Sequence, residues 1–227
     1  MSLACHELPG GGHAFFTARA DGNLSSVGGD MAEHGLQARE RLREALDVRR
    51  LVRGYQVHGT VVGRVREGAF SQDDGAQPIL EADGQAVAAP RVAAMVLTAD
   101  CIPVVLGAQG AVAAVHAGWR GLADGVLEEG VLALREVGGR GDVAAIVGPC
   151  AGACCYEVGE EVHAALGGLH RDGRLIDLRG IAHERLLEAG VAEVRDVHAC
   201  TICDERFFSY RREGARAGRQ AGVAWLS

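Results

Sequence analysis

Three residues of this chain have side chains and settings suited to metal chemistry. His58 lies in Tyr55-Gln56-Val57-His58-Gly59-Thr60, Cys101 in Thr98-Ala99-Asp100-Cys101-Ile102-Pro103, and His116 in Ala114-Val115-His116-Ala117-Gly118-Trp119-Arg120-Gly121. Each ends or follows an apolar run, and each is followed by a residue that turns the chain. Two imidazoles and a thiolate suit a borderline-soft ion such as zinc, and three protein ligands leave a fourth position open, as in catalytic sites. The same residues also permit a metal-free reading, with Cys101 as nucleophile and His116 as its base.

Other residues could serve such a site. Asp100, beside Cys101, is a candidate general acid or base, or an orienting carboxylate behind a ligand. Arg120 follows His116 at an expected helix start and suits an anion. Near the C-terminus, Phe207-Phe208-Ser209-Tyr210-Arg211-Arg212 offers rings for a flat ligand and guanidinium groups for an anion. Cys150, Cys154 and Cys155 fall within six residues, and Cys200-Thr201-Ile202-Cys203 follows later. Three cysteines so close invite a metal or redox reading, with the Cys200-x-x-Cys203 element as a second pair, but the plainer reading of the first three is small buried residues at a tight turn, because unpaired cysteine packs as a small hydrophobe. His163 and His183, in polar helical stretches, are expected to be exposed.

The elements that must position these groups follow from periodicity. Gly10 to Arg19 reads as a loop entering a short strand, and Asp21 to Asp30 as a loop. Leu36 to Leu46 has helical spacing of apolar residues. Arg50 to Gln56 and Val61 to Val65 are strand candidates around His58, and Glu67 to Gln77 reads as an exposed loop. Val92 to Thr98 reads as a buried strand, and Val104 to Leu106 with Ala111 to Val115 as a hairpin. Leu122 to Val137 reads as one long helix stopped by Gly138-Gly139. Val143 to Val147 is a strand, Val158 to Leu166 and Ile181 to Ala189 are helices, and Val194 to His198 and Val223 to Leu226 are strands. No repeat or linker is evident, so residues 1–227 are expected to form one mixed domain.

Composition narrows the function classes. The chain has 227 residues, a formal net charge of −7, 48% hydrophobic residues and no lysine. The absence of lysine excludes Schiff-base catalysis by this chain. The acidic balance argues against a nucleic-acid partner. The longest apolar runs have strand length, which argues against a membrane span. The N-terminal residues lack a signal-peptide pattern, and the seven cysteines are odd in number. A cytoplasmic protein without a disulfide framework is therefore expected, and no G-x-G-x-x-G or Walker motif points to a nucleotide-cofactor fold.

Taken in order, Gln-Val-His-Gly, Thr-Ala-Asp-Cys-x-Pro, His-Ala-Gly-Trp-Arg-Gly-Leu, Gly-Pro-x5-Cys-Tyr-Glu-Val, Cys-Thr and Phe-Phe-Ser-Tyr-Arg-Arg resemble the series of the YfiH-like, or laccase-domain, family. The resemblance spans roughly Phe15 to Leu226. It implies an α+β fold of the CNF-toxin and YfiH-like type, with β-sheets sandwiched between helices. It implies zinc on His58, Cys101 and His116, with copper as the other ion associated with the family. It implies purine nucleosides and phosphate as substrates: phosphorolysis, including that of methylthioadenosine, and deamination of adenosine. Arg19, Arg120, Phe208, Tyr210 and Arg211 are the expected substrate contacts, in a monomer or weak homodimer. The alternatives within the resemblance are a peptidoglycan-precursor amidase using the same metal and a copper polyphenol oxidase. Two departures stand out. The segment Arg19-Ala20-Asp21-Gly22-Asn23-Leu24-Ser25 is abbreviated, and Cys150 stands where serine is typical.

Overall fold

A computed structural model describes residues 4–25, 30–67 and 81–227. The elements in chain order are β1 (His6–Leu8), β2 (Gly12–Phe16), α1 (Asp30–Ala45), β3 (Arg50–Val52), β4 (Val62–Arg66), β5 (Gly84–Ala88), β6 (Val92–Thr98), β7 (Ile102–Gln109) and β8 (Ala111–Ala117). There follow α2 (Trp119–Ala123), α3 (Val126–Val137), β9 (Arg140–Val147), α4 (Glu160–Ala165), β10 (Arg171–Asp172), β11 (Leu175–Ile176), α5 (Leu178–Glu188), β12 (Glu193–Asp196), α6 (Tyr210–Glu213) and β13 (Gln220–Leu226).

Two mixed sheets carry the fold. One runs β1-β2-β13-β6-β3 and the other β12-β9-β7-β8-β5-β4, with β10 and β11 forming a separate ribbon. Their facing sides share an apolar core that includes Phe16, Val96 and Ala224 from the first sheet and Val87, Val105 and Ile146 from the second. Helix α1 covers the outer face of the first sheet through Ala38 and Leu42, packed against Met95 and Val223. Leu127 and Leu134 of α3 and Ile181 and Leu186 of α5 cover the outer face of the second sheet. Residues of β7 therefore alternate between cores: Val104 and Leu106 face the helices, and Val105 faces the other sheet. The result is a mixed αβ domain with sheets between helices, the expected fold class.

The expected strands and helices are present with shifted ends. The hairpin is longer than expected, with β7 and β8 paired from Ile102↔Ala117 to Ala108↔Ala111 around Gly110. The long helix after His116 is broken in two. Gly125 takes a left-handed φ of 93° between α2 and α3, a conformation open to glycine and unsuited to a continuing helix. His163 is buried rather than exposed, at 2% of its free surface, because α4 turns it toward the protein. Strands β1 and β5 lack a long alternating pattern and were not expected. Most of the expected loop Glu67 to Gln77, and residues 26–29 of the other one, lie outside the described residues. Among the described residues no helix is long and apolar enough to cross a membrane.

Candidate active site

Pairing within the second sheet brings the three candidate ligands to one end. The β7–β8 register places Ile102 opposite Ala117 and Pro103 opposite His116, so Cys101, just before β7, lies beside His116. Strand β5 pairs antiparallel with β8, Gly84 facing Val115, and β4 runs parallel to β5 with Val62 facing Gly84. The segment entering β4 therefore delivers His58 to the same end. The donor atoms of His58, Cys101 and His116 lie within 4.8 Å of one another. His58 Nε2 is 3.9 Å from Cys101 Sγ, and the two imidazole rings meet edge to face at 4.9 Å.

A residue that sequence reasoning missed organises this trio. The carboxylate of Asp83 is fully buried and lies 2.7 Å from His116 Nδ1. It also accepts the backbone N–H groups of Val57 at 3.1 Å, His58 at 2.9 Å and Gly59 at 2.7 Å. The bond to Nδ1 leaves the Nε2 lone pair of His116 for the trio, and a carboxylate behind a histidine fixes the tautomer in this way. The three amides hold His58 in its left-handed conformation, φ 62°, which otherwise disfavours a residue with a side chain. Asp83 thus supports two of the three donors. The only local signal was an Asp-Gly just before a short strand, and such pairs are ordinarily turns.

Charge couples the same groups. Burial pushes the Asp83 carboxyl up, but hydrogen bonds from His116, Gly59 and Val57 outweigh it and hold the group below its usual range. Burial also pushes the Cys101 thiol up. The imidazoles of His116 and His58 reverse this and bring it down to about 6. Burial opposes charge on His116, but Cys101 and Asp83 push it up to about 9. The thiolate, which is the form that binds metal, is therefore favoured, and an ion at the trio would replace the proton that His116 otherwise holds on Nε2. A side chain at Gly118 would place Cβ 2.8 Å from His58 Cδ2, 3.4 Å from Cys101 Sγ and 3.7 Å from His116 Cε1. The glycine of His-Ala-Gly-Trp keeps the space beside all three donors clear. The donor set and this cleared space fit a zinc-type ion.

The trio opens into a cavity of about 690 Å³ between the β3–β4 segment, the β6–β7 crossover and α6, within the range of small-molecule sites. Its wall includes Asn23, Arg53, Tyr55, Gln56, Asp100, Tyr210, Arg211, Arg216 and Arg219. Gln56 pins the His58 segment to β6: its Nε2 donates to the Leu97 carbonyl and its Oε1 accepts the Leu97 N–H, both at 2.8 Å. Burial lowers the pKa of Arg53; burial and the charge of Arg53 lower that of Arg39 to about 10. Although the chain is acidic overall, this cavity concentrates guanidinium groups.

The other expected residues fall on either side of the wall. Asp100 turns the corner between the sheets with φ 85°. Its carboxylate accepts Thr201 Oγ1–H at 2.7 Å, Ser209 Oγ–H at 3.1 Å and the Arg211 N–H at 2.7 Å. Tyr210 and Arg211 line the cavity. The Arg211 guanidinium sits 4.6 Å over the Tyr156 ring and donates to the Glu157 carbonyl. Three expected contacts lie outside the wall. Arg19 stacks on the buried Phe208 at 4.3 Å and is held by Glu213 and the Phe207 carbonyl, while Arg120 stacks on Trp119 at 4.2 Å. The abbreviated segment after Arg19 contributes Asn23 and Ser25 to the cavity.

Comparisons with known proteins agree with this architecture. Residues 11–227 match the model of the family described as multi-copper polyphenol oxidoreductase laccase. A protein of Xylella fastidiosa strain Temecula1, named purine nucleoside phosphorylase, is 39% identical over 224 residues, covering 90% of this chain and 84% of its own. The Escherichia coli K12 protein named purine nucleoside phosphorylase YfiH is 34% identical over 218 residues, covering 90% and 86%. The crystal structure of Neisseria meningitidis protein NMB0706 superposes with a TM-score of 0.85 at 30% identity, covering both chains completely. A match over nearly the whole chain, joined to the same fold in a solved relative, places this chain in the laccase-domain, YfiH-like family.

Proposed function

We propose that this protein is a purine nucleoside phosphorylase acting at the cavity beside His58, Cys101 and His116. The observation that carries the reading is the juxtaposition of that donor trio with a wall containing Arg53, Arg211, Arg216 and Arg219. Phosphorolysis joins a phosphate oxygen to the anomeric carbon while the glycosidic C–N bond breaks, its electrons leaving with the purine. The arginines supply what this reaction needs first, a seat for a phosphate dianion close to the sugar. Tyr55 and Tyr210 offer flat surfaces at the rim for the base. Asp100 holds Arg211 through its backbone N–H, and in this reading it is a positioning residue.

His58, Cys101 and His116 would hold zinc, with Asp83 orienting two of them. When bound there, zinc supplies Lewis acidity toward an oxygen in the open position. The same cavity serves methylthioadenosine phosphorolysis and adenosine deamination in this reading. A multicopper oxidase would need further histidines near the trio. Among the described residues the other convergent set of ligating side chains contains four cysteines and no histidine.

The test is a product assay on metal-loaded protein. Inosine with phosphate should yield hypoxanthine and ribose 1-phosphate, and adenosine alone should yield inosine. No turnover of either nucleoside with metal fully bound would overturn the assignment. His58→Ala should abolish both metal at the trio and activity. Arg216→Ala should raise the KM for phosphate on the order of tenfold, the loss of one charge-assisted contact.

A further inference from the structure

We propose that Cys154, Cys155, Cys200 and Cys203 form a second metal site, a closed four-thiolate centre of the structural zinc type. The plainer sequence expectation for Cys154 and Cys155 is small packed residues at a turn. Instead, Cys154 is exposed, Cys155 half-buried, and both face the later pair. Parallel pairing of β9 with β12, from Glu193↔Ala144 to Asp196↔Val147, explains the meeting. Parallel neighbours leave the sheet at the same end, so the loops after Val147 and Asp196 run side by side. They are bonded there: Cys150 N–H donates to the Ala199 carbonyl at 3.4 Å, and Thr201 N–H to the Cys150 carbonyl at 2.9 Å.

The sulfur positions fit one shared ion. Cys155 Sγ lies 3.5 Å from Cys154, 3.4 Å from Cys200 and 3.3 Å from Cys203, and Cys154 lies 3.5 Å from Cys203. All four lie within 4.8 Å of one another. Tetrahedral zinc with bonds of about 2.3 Å separates its sulfurs by about 3.8 Å. A disulfide gives a sulfur one partner, whereas here Cys155 faces three at nearly equal distance. The chain also prepares Cys200 as a thiolate ligand, since Gly152 N–H donates to its Sγ at 3.2 Å. Any side chain at Gly152 would crowd Cys200 Sγ at 3.2 Å and Cys154 Sγ at 3.3 Å. Arg212 donates to the Thr201 and Ile202 carbonyls at 2.8 Å and brings positive charge to a centre that would carry net negative charge. Cys150 stands apart, with its sulfur taken by Arg179 Nη2 at 3.4 Å.

Four protein ligands leave no open position, so the role is structural. The centre joins the loop carrying Tyr156 to the loop that leads to Ser209 and Arg211, and so braces one wall of the cavity. It does not depend on which reaction the cavity performs.

The experiment counts metal in protein purified under reducing conditions without added chelator. Wild-type protein should carry two equivalents of zinc. His58→Ala should keep one, and Cys200→Ser/Cys203→Ser should keep the other. Should the double variant fail to fold, cobalt replacement in His58→Ala decides the matter, because its spectrum should show the intense thiolate-to-cobalt bands of an all-sulfur tetrahedral site. Folded His58→Ala without metal would overturn the proposal. So would a disulfide among these cysteines in peptide mapping of the reduced preparation, or acid-labile sulfide showing an iron–sulfur cluster instead of a single ion.

Discussion

At the residue scale, buried carboxylates do the positioning and imidazole and sulfur are left to face the cavity. Asp83 accepts three amides and the Nδ1–H of His116. Asp83→Asn keeps the shape but exchanges one acceptor for a donor, so metal affinity at the trio should fall about 10- to 100-fold. Competition with a chelator measures this, with the circular dichroism spectrum unchanged. Asp100→Asn separates two roles. As a positioning residue, Asp100 should cost about 1–3 kcal/mol in urea unfolding when lost, and the KM for phosphate should rise through Arg211. A lost limb in the kcat pH profile at unchanged stability would instead identify it as a general acid or base.

At the element scale, the β7–β8 hairpin is the frame, because its register alone brings Cys101 to His116. Gly118 ends that frame and borders the donors. Gly118→Ala should weaken metal binding on the order of tenfold or more through contact with His58, measured by the same competition, with little change in stability. Helix α3 supports the hairpin from behind through Leu134, which is fully buried. Leu134→Ala should cost about 2–5 kcal/mol in urea unfolding, with metal stoichiometry retained in the folded fraction.

At the scale of the whole molecule, ion pairs tie segments distant in sequence together. Glu213 of α6 binds both Arg19, just after β2, and Arg212. Burial pushes the Glu213 carboxyl up, but hydrogen bonds from Arg19 and Arg212 outweigh it and hold it below its ordinary range. A carboxyl lowered by folding stabilises the protein above its unfolded value and loses that contribution as pH falls through the folded value. Glu213→Gln should therefore destabilise the protein at pH 7 by more than it does near pH 3.5. Urea midpoints of the two proteins at both pH values give the comparison.

The sequence by itself determined the donor types of the trio and the hairpin that joins two of its members. These were legible because each depends on local order: apolar runs ended by turn residues, and a glycine turn that sets strand register. Tertiary structure alone decided the rest. Arg19 and Arg120 looked like anion holders, yet neither lines the cavity: Arg19 pairs with Glu213, and Arg120 stacks on Trp119. Arg216 and Arg219 lacked any telling context until α6 and the approach to β13 turned them toward the cavity. Asp83 became visible only when β5 paired with β8. The four cysteines met only because β9 and β12 run parallel, a pairing between segments some fifty residues apart. Local sequence sets which atoms are available and which way the chain turns, whereas the pairing of distant strands sets which of those atoms meet.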